Sequence, residues 1–550
     1  MNLGMQGNHA RQPDPSHHEW SRRDTTLVAI LIALFALAVF RDITLPGLYM
    51  DAVNPDYLAA RTINSELKNP VWMMPTAWFQ ILGNLYYGVQ TYYVGIPIYK
   101  IFGFSLVSLR LGQALFGVVI VALLYGLSAR LTGSRLLAFV AVAGLATDIA
   151  FIASFRTQNY IILSGEAWFL AALVLLFRAS ASPTTLRRSI FLSGVCFGLA
   201  VYGYFVFLFF LPAFLCLVIR KDLGDSKTAM KPWMMGFAIG MLPYGIGYLS
   251  MVVNLQGGSQ AIEFISNTTR TLNPLSSSLS TWGSFTYAFD MARIALSNTG
   301  NELMIFGNPI VGQWANARFW FMCFALLFGS VLLVVQPTVD GALGKKRRFL
   351  VLLPVSYLLL AGLLGNRLWA HHFSVLIAIA YLLSAIVIAD VILFARAALP
   401  IFKNAVWKWL VIVCGVLLVT GNLWQQQAFF LRLNETGGVG KFSSALSVMA
   451  DEAMNQGQND VYVFPEWGFF MSFAFLTGNL RPYELILSQE TLRKYHGRNM
   501  KVHLAFWDAK DKEKYAVMLA GTEVKELEFQ TYRQKDGKPA FFMLVGKLIH

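Results

Sequence analysis

Two acids directly follow the first long apolar run of the chain, in the stretch LPGLYMDAVNPDYLAARTINSEL, residues 45–67. Asp51 and Asp56 stand there beside Tyr57 and Arg61. A positioned carboxylate can act as a general base and take the proton of an attacking hydroxyl. An acid just outside a helix is also commonly a cap or a solvated loop residue. The two acids are therefore candidate catalytic bases, with the tyrosine and the arginine as candidate substrate contacts.

Cationic and imidazole side chains follow other apolar runs. Arg156 lies in SFRTQNY, and Arg367, His371 and His372 lie in GNRLWAHHFSV. Such groups bind phosphate oxygens through charge-assisted hydrogen bonds. Alternatively, Arg156 is a cation that snorkels to the interface, and the histidines have a packing role. Together with the acids, these four residues predict a site for a phosphate-bearing lipid at one membrane face.

The elements that carry these residues must be membrane spans. Of 550 residues, 56% are hydrophobic and 13% charged, which is too few polar residues to cover a soluble globule of this size. A helix needs about 20 mostly apolar residues to cross the hydrocarbon, and this criterion predicts about eleven spans. They are residues 25–43, 107–130, 134–152, 159–177, 188–203, 204–220, 232–253, 317–336, 347–365, 371–395 and 405–424.

Basic residues give the orientation of the spans. They occupy alternate connections, from Arg22 and Arg23 before the first span to KKRR at 345–348. Since such residues resist translocation, residues 1–24 are predicted to be a cytoplasmic tail before an uncleaved anchor, and the carboxyl-terminal segment is predicted outside. This pattern accounts for the net charge of +14, so a nucleic-acid partner is not expected.

Within the membrane part, residues 25–431, two external loops are predicted. The first, residues 44–106, is rich in tyrosines such as Tyr93, which favours juxtamembrane helices on the membrane surface. The second, residues 255–316, is rich in Ser, Thr and Asn and predicts a mobile segment. Asp148 lies near the outer end of a span. Tyr93 and Asp148 are further candidate substrate contacts.

The last part of the chain, residues 432–550, changes character. NDVYVF, VHLAFW and FFMLVGKLI predict strands, KFSSALSVMADEAM and DAKDKEKYAVMLAG predict helices, and KDGK predicts a hairpin turn. This pattern is typical of a small α/β domain. It contains neither a glycine-rich nucleotide motif nor metal-ligand spacing, so no cofactor or metal is predicted, and a structural or acceptor-binding role is favoured.

The sequence resembles a known superfamily. An acid after the first span, then YYVGIPIYKIFGFSLVSLRLGQALFGV, FRTQNYIILSG and HHFSVLIAIAYLLSA, resembles the GT-C superfamily of integral membrane glycosyltransferases. The nearest branch looks like the bacterial protein O-mannosyltransferase and aminoarabinose-transferase group. The resemblance covers residues 25–424, and the tail looks like that of many bacterial members.

The resemblance implies an inverting transfer of a sugar from a polyprenyl-phosphate donor to a glycan, lipid or protein acceptor. It implies a bacterial inner membrane protein whose site and carboxyl-terminal domain face the periplasm. The family's acid in the first external loop matches Asp51, which would be the general base. Ala52 replaces the Glu that usually follows this acid, so Asp56 remains a second candidate. Arg156, Arg367 and His372 would stabilise the leaving phosphate without a metal.

A transporter or flippase of a lipid-linked glycan is the alternative. Such a protein would also have about a dozen spans, but its ionisable residues should lie near the bilayer midplane on broken helices. Asp148 and Glu166 are candidates for buried acids in the predicted spans. The gathering of charged residues at one predicted face therefore favours the transferase.

Overall fold

The computed structural model describes most of the chain. The described ranges are residues 20–71, 79–178, 183–219, 226–272, 279–310, 313–335, 347–399, 406–456, 459–495 and 500–548. Helices dominate these ranges. The seven described strands form one two-stranded hairpin and one five-stranded sheet.

Twenty-one α-helices are present in the described ranges. They are α1 Arg22–Val39, α2 Tyr57–Ile63, α3 Gln90–Phe102, α4 Leu106–Thr132, α5 Arg135–Ala146, α6 Ile149–Ser154, α7 Tyr160–Leu176, α8 Pro183–Gly203, α9 Leu211–Ile219, α10 Ser226–Asn254, α11 Gly258–Leu272, α12 Thr281–Leu296, α13 Thr299–Phe306, α14 Gln313–Val335, α15 Leu352–Leu364, α16 Leu376–Ala398, α17 Val406–Thr436, α18 Ala445–Asn455, α19 Phe470–Leu476, α20 Gln489–Arg493 and α21 Lys512–Ala520. The strands are β1 Leu82–Asn84, β2 Tyr87–Gly88, β3 Asp460–Val463, β4 Tyr483–Glu484, β5 Lys501–Phe506, β6 Val524–Arg533 and β7 Pro539–Leu548.

Five described helical segments are long and apolar enough to cross a membrane. They are Leu106–Thr132, Ala229–Asn254, Phe349–Arg367, Ala370–Arg396 and Val406–Thr436. The first shows how the sequence sets the ends. Ser105 and Ser108 form a capping box, and Gly133 closes the helix with φ +66° in the left-handed region. The 27 residues of Leu106–Thr132 extend about 40 Å along the helix axis.

Each of the eleven predicted spans contains helix, and the bundle architecture predicted from the sequence is confirmed. The span predicted at 134–152 is instead divided into α5 and α6, which meet at Thr147 and Asp148. Helices α8 and α10 approach each other closely through glycines. A Cβ at Gly194 would lie 2.1 Å from the Trp233 carbonyl oxygen, which shows how near the two backbones come.

The two segments predicted to be external loops are more regular than their composition predicts. Residues 255–316 contain helices α11, α12 and α13, where the polar composition had indicated a mobile segment. The first external loop contains α2, the β1–β2 hairpin and α3. Helix α3 exposes Ile101 and Phe102 by 73% and 65%, as expected of a helix that lies against a membrane surface.

The carboxyl-terminal segment folds around a sheet with strand order β4-β3-β5-β7-β6. Strand β3 is parallel to β4 and β5, and β7 is antiparallel to β5 and β6. The three predicted strands and both predicted helices are present, and the predicted KDGK turn joins β6 to β7 with Gly537 at φ +83°. Strands β4 and β6 were not predicted. The small α/β domain expected from the sequence is confirmed.

Reciprocal amide contacts fasten this sheet domain to the first external loop. Asn69 donates to the Asn479 Oδ1 and to the Arg481 carbonyl, both at 2.9 Å. Asn479 in turn donates to the Asn64 carbonyl at 2.9 Å, and Asn64 donates to the Gly478 carbonyl at 2.7 Å. The segment that carries the two candidate acids is therefore fixed to the sheet domain as well as to the bundle.

Candidate active site

Asp51 lies in a short 3₁₀ turn, Met50–Ala52, and its side chain is only half-buried. Tyr49 and Trp467 donate hydrogen bonds to its carboxylate, and Lys441 places a positive charge nearby. Burial raises the pKa of Asp51 above its ordinary value, and these three neighbours oppose that rise. Two of them, Lys441 and Trp467, come from the carboxyl-terminal segment. The acid therefore lies where residues 44–106 meet the carboxyl-terminal sheet domain.

Asp56 has a different environment. It is 1% exposed, and its two oxygens accept hydrogen bonds from the Tyr99 hydroxyl at 2.6 Å and the Tyr160 hydroxyl at 2.9 Å. Burial is the main reason that the pKa of Asp56 is raised, and the tyrosine hydrogen bonds oppose that rise. These contacts join α2 to α3 and α7. They favour a structural role for Asp56 over a role as the base.

Arg156 is held by backbone carbonyls. It is 3% exposed and donates to the carbonyls of Val39 at 3.0 Å, Asp42 at 2.9 Å and Leu45 at 2.6 Å, and also to that of Arg41. Burial lowers its pKa to about 9. Its donors are thus directed at the chain that precedes Asp51, which favours a structural role over the predicted contact with a lipid phosphate.

A second buried arginine, Arg110 on α4, holds the same stretch. It donates to the carbonyls of Leu45 at 2.8 Å and Pro46 at 2.7 Å, and also to that of Ile43. Together Arg110 and Arg156 fix the backbone of residues 39–46. Sequence reasoning missed Arg110, whose only signal was a charge four residues inside an apolar helix.

The histidine pair and Arg367 lie together between α15 and α16. Arg367 is exposed and makes no hydrogen bond or ion pair within the described part of the chain. Gln158 Nε2 lies 2.9 Å from His371 Nδ1, so the amide donates and the imidazole proton is on Nε2. The rings of His371 and His372 are 3.9 Å apart. Arg367 and His371 therefore have donors to offer an anion.

Aromatic rings connect the histidines with the surroundings of Asp51. His372 Nε2 lies 3.3 Å from the Tyr204 hydroxyl, and the Tyr204 ring lies 5.7 Å from that of Tyr86. Burial, followed by the charge of Asp51, raises the pKa of Tyr86 to about 12. The Tyr86 and Tyr204 rings therefore link the surroundings of Asp51 to His372. The sequence analysis did not single out Tyr204, because the run of aromatic residues around it is typical of a membrane span.

The residues on either side of Gln158 belong to a buried amide network. Asn301 Oδ1 accepts from the Thr157 hydroxyl and the Asn159 amide, both at 3.0 Å, on either side of Gln158. Asn298 lies 3.0 Å from the Asn301 amide nitrogen. Because every partner is buried, the network fixes the turn between α6 and α7 against α13.

The other predicted substrate contacts have partners of their own. Tyr57 is 2% exposed and packs edge-on against Phe470 at 6.0 Å. Arg61 donates to the Asn69 carbonyl at 3.2 Å, and the hydroxyl of the half-exposed Tyr93 donates to the carbonyl of Gln80. The substrate roles of these residues stay predictions.

Asp148 is buried in the bundle. It pairs with Arg318, accepts from the Tyr381 hydroxyl at 2.7 Å, and caps α6 by accepting from the Ala150 amide at 2.8 Å. With both oxygens engaged, Asp148 is not brought to Asp51 by these contacts. They favour a role in joining α6, α14 and α16.

A glycine-rich loop, residues 437–444, brings Lys441 to the acid. Its glycines 437, 438 and 440 have φ angles of +68°, +88° and +55°, which side chains rarely tolerate. The loop packs on Gly47, where a Cβ would lie 1.9 Å from the Ser443 carbonyl oxygen. Phe442 contacts Tyr49 with ring centroids 4.8 Å apart. The GGVGK sequence was the available signal for this loop.

No group of three or more His, Cys, Asp or Glu side chains gathers in a metal-holding arrangement among the residues that the structure describes. The described contacts bring Lys441 to Asp51 and link its surroundings to the histidine pair through Tyr86 and Tyr204, but they do not join Arg367 to Asp51.

The family described as dolichyl-phosphate-mannose-protein mannosyltransferase matches residues 91–244. This segment includes Arg156 and Tyr204 and does not reach Asp51. No curated protein matches the chain in sequence.

Solved structures match over nearly the whole chain. The crystal structure of ArnT from Cupriavidus metallidurans in the apo state has a TM-score of 0.58 and 11% identity, and covers 96% of this chain and 98% of that one. The structure of the same protein bound to undecaprenyl phosphate has a TM-score of 0.50 and 10% identity, with the same coverage.

At such low identity, these matches establish the fold. The apolar helices and this likeness make the chain an integral membrane protein. The architecture that the sequence resemblance implied is thus confirmed: the chain has the GT-C fold of integral membrane glycosyltransferases.

Proposed function

We propose that this protein is an inverting glycosyltransferase that moves a sugar from a polyprenyl-phosphate donor to an acceptor hydroxyl at the extracytoplasmic face, with Asp51 as the general base. The observation that carries the proposal is the position of Asp51. Asp51 is half-buried, and Lys441 and Trp467 of the carboxyl-terminal domain lie beside it. The Tyr86 and Tyr204 rings link its surroundings to His372. Asp56 is enclosed by tyrosines.

In the reaction, the acceptor oxygen attacks the anomeric carbon from the face opposite the lipid phosphate. A bond forms between the acceptor oxygen and the anomeric carbon while the bond between that carbon and the phosphate oxygen breaks. This attack from the opposite face inverts the configuration of the anomeric carbon. Asp51 takes the acceptor proton, and the phosphate leaves with the bonding pair. A carboxylate placed to accept this proton lowers the barrier at the moment when the hydroxyl becomes acidic.

Arg367 and His371 would stabilise the leaving phosphate. Arg367 is exposed, and the Nε2 proton of His371 remains available because Gln158 donates to its Nδ1. Donors directed at developing negative charge stabilise the transition state more than the ground state. The lipid-linked donor is supported by the undecaprenyl phosphate bound to ArnT, which has the same fold.

The extracytoplasmic location rests on the alternating basic connections of the sequence. This orientation would place the first external loop, Arg367 and the sheet domain on the same side. In a bacterial cell it corresponds to the periplasmic face of the inner membrane. A lipid-linked donor can reach such a site from the bilayer without a soluble nucleotide sugar.

Transfer of radiolabelled sugar in proteoliposomes separates this function from transport. A polyprenyl-phosphate sugar supplied with candidate glycan, lipid and protein acceptors should yield labelled acceptor and free polyprenyl phosphate. The configuration of the new linkage, read by NMR, should be opposite to that of the donor. Movement of intact labelled donor between leaflets without a new linkage would instead show a flippase.

A further inference from the structure

Trp467 is an exposed aromatic ring at the side of Asp51 that faces the external domain. Its side chain hydrogen-bonds to Asp51, while 39% of its surface remains exposed. The Trp507 indole donates to the Trp467 carbonyl at 2.8 Å, and Phe470 packs edge-on at 6.3 Å. The ring is therefore held in place although much of it is open to solvent. Packing alone does not account for an indole that is held in position and yet partly exposed beside the candidate base.

Lys441 adds a cation on the same side. The glycine-rich loop presents it, its ammonium lies 5.9 Å from the Trp507 ring centroid, and its charge acts on Asp51. The Lys441 side chain is exposed. Trp507 is in turn stacked on Phe469 at 3.9 Å, which gives this part of the external domain a rigid base.

We infer that Trp467 and Lys441 form an acceptor subsite for a carbohydrate, an inference that rests on the proposed function. The carbon–hydrogen face of a pyranose ring stacks on the indole, whose face carries partial negative charge. The ammonium donates hydrogen bonds to the sugar hydroxyls. A ring stacked there presents a hydroxyl to Asp51, whose carboxylate the same indole contacts.

The subsite serves the acceptor because the two sides of Asp51 differ. The donor phosphate must come from the membrane, and Arg367 with His371 and His372 lies toward the bundle. Trp467 and Lys441 belong to the external domain. A sugar is favoured over a peptide because the exposed surface is one aromatic plane beside one cation, which matches a flat ring with hydroxyls.

Saturation-transfer NMR on the full protein in nanodiscs tests the subsite without turnover. Cellobiose and maltose serve as probes, and a Ser-Thr-Ala tripeptide serves as the competing class. The wild-type protein should saturate the ring protons of at least one disaccharide. Trp467→Ala should weaken that binding by about tenfold, the scale of one aromatic contact, and Trp467→Phe should restore part of it. Lys441→Gln should weaken it to a smaller degree.

Trp282→Ala is the matched control, since Trp282 is 77% exposed and lies on α12. Binding that is unchanged in Trp467→Ala, equally lost in Trp282→Ala, absent in the wild type, or present for the tripeptide alone would overturn the subsite. If Trp467→Ala fails to fold, Trp467→Phe and Lys441→Gln decide, and unchanged binding in both would overturn it. Specific disaccharide binding without any sugar transfer would contradict the proposed function and leave the subsite standing.

Discussion

Asp51 and Asp56 lie five residues apart, but their carboxylates have different partners. Asp56 accepts from two tyrosine hydroxyls inside the protein, whereas Asp51 remains half-buried beside an exposed lysine and tryptophan. The sequence could identify both acids but could not rank them, because Tyr99, Tyr160 and Trp467 are distant along the chain. The greater exposure of Asp51 is the reason that the proposed function assigns the general base to it.

The neighbours of Asp51 should control the pH dependence of transfer. A base must be ionised, so kcat/KM should rise with pH through the Asp51 pKa, which burial raises and the Lys441 charge lowers. Lys441→Gln removes that charge, so the midpoint of the acid limb should move to higher pH. Lys441→Arg should keep the midpoint near the wild-type value. An acid limb that does not move in Lys441→Gln would contradict the assignment.

Arg367 should contribute to use of the donor phosphate. Arg367→Ala removes an exposed guanidinium that is free to bind phosphate, and a charge-assisted contact is worth roughly 1.5–3 kcal/mol. The KM for the polyprenyl-phosphate donor should rise about tenfold or more, measured in proteoliposomes, with thermal stability unchanged.

Arg156→Ala is the matched comparison. It removes a buried guanidinium that binds backbone carbonyls before Asp51, so it should lower the melting temperature or prevent folding. If Arg156→Ala impaired use of the donor while the melting temperature stayed at the wild-type value, the structural role of Arg156 would be contradicted and a contact with the donor phosphate favoured.

Close packing of two loops brings Lys441 next to Asp51. The glycine-rich loop 437–444 lies on the PGLY stretch before Asp51, and the Asn69–Asn479 contacts fasten the two parts further along. Local sequence predicted three strands and two helices of the external domain, because alternation and turn residues are local signals. Strand β6 was missed because its charged, exposed residues, typical of an edge strand, mask its alternation.

Gly47→Ala tests the packing of these loops. An added Cβ would lie 1.9 Å from the Ser443 carbonyl oxygen, so the glycine-rich loop would have to move. We expect a lower melting temperature and reduced transfer, as Lys441 and Trp467 separate from Asp51. Gly245→Ala, where an added Cβ on α10 meets no atom within 4 Å, should leave both unchanged. Equal effects of the two substitutions would argue against a specific role for this contact.

For the whole molecule, apolar run length predicted the bundle well, because hydrocarbon thickness sets span length whatever the tertiary contacts. Contacts between distant parts of the chain could not be predicted in this way. Lys441 and Trp467 contact Asp51 although roughly 400 residues of sequence separate them from it. The helices of residues 255–316 were not predicted, because the composition of that segment is polar. No local pattern encodes such contacts.

The predicted orientation can be tested with cysteines in a cysteine-free background. A cysteine at the exposed Lys510 should react with a membrane-impermeant maleimide in intact cells, while a cysteine at the exposed Arg23 should react only after permeabilisation. The opposite pattern would place the external domain and the proposed site in the cytoplasm.

Asp51→Asn and Asp56→Asn, compared in purified and reconstituted protein, test whether Asp51 is the general base. Asn keeps the size and hydrogen bonding of Asp51 but lacks the basic oxygen, so donor binding and melting temperature should persist while transfer falls about 10²-fold or more. Asp56→Asn should chiefly lower stability, because it disturbs the contacts with Tyr99 and Tyr160. If Asp51→Asn retains wild-type turnover in this assay, Asp51 is not the base.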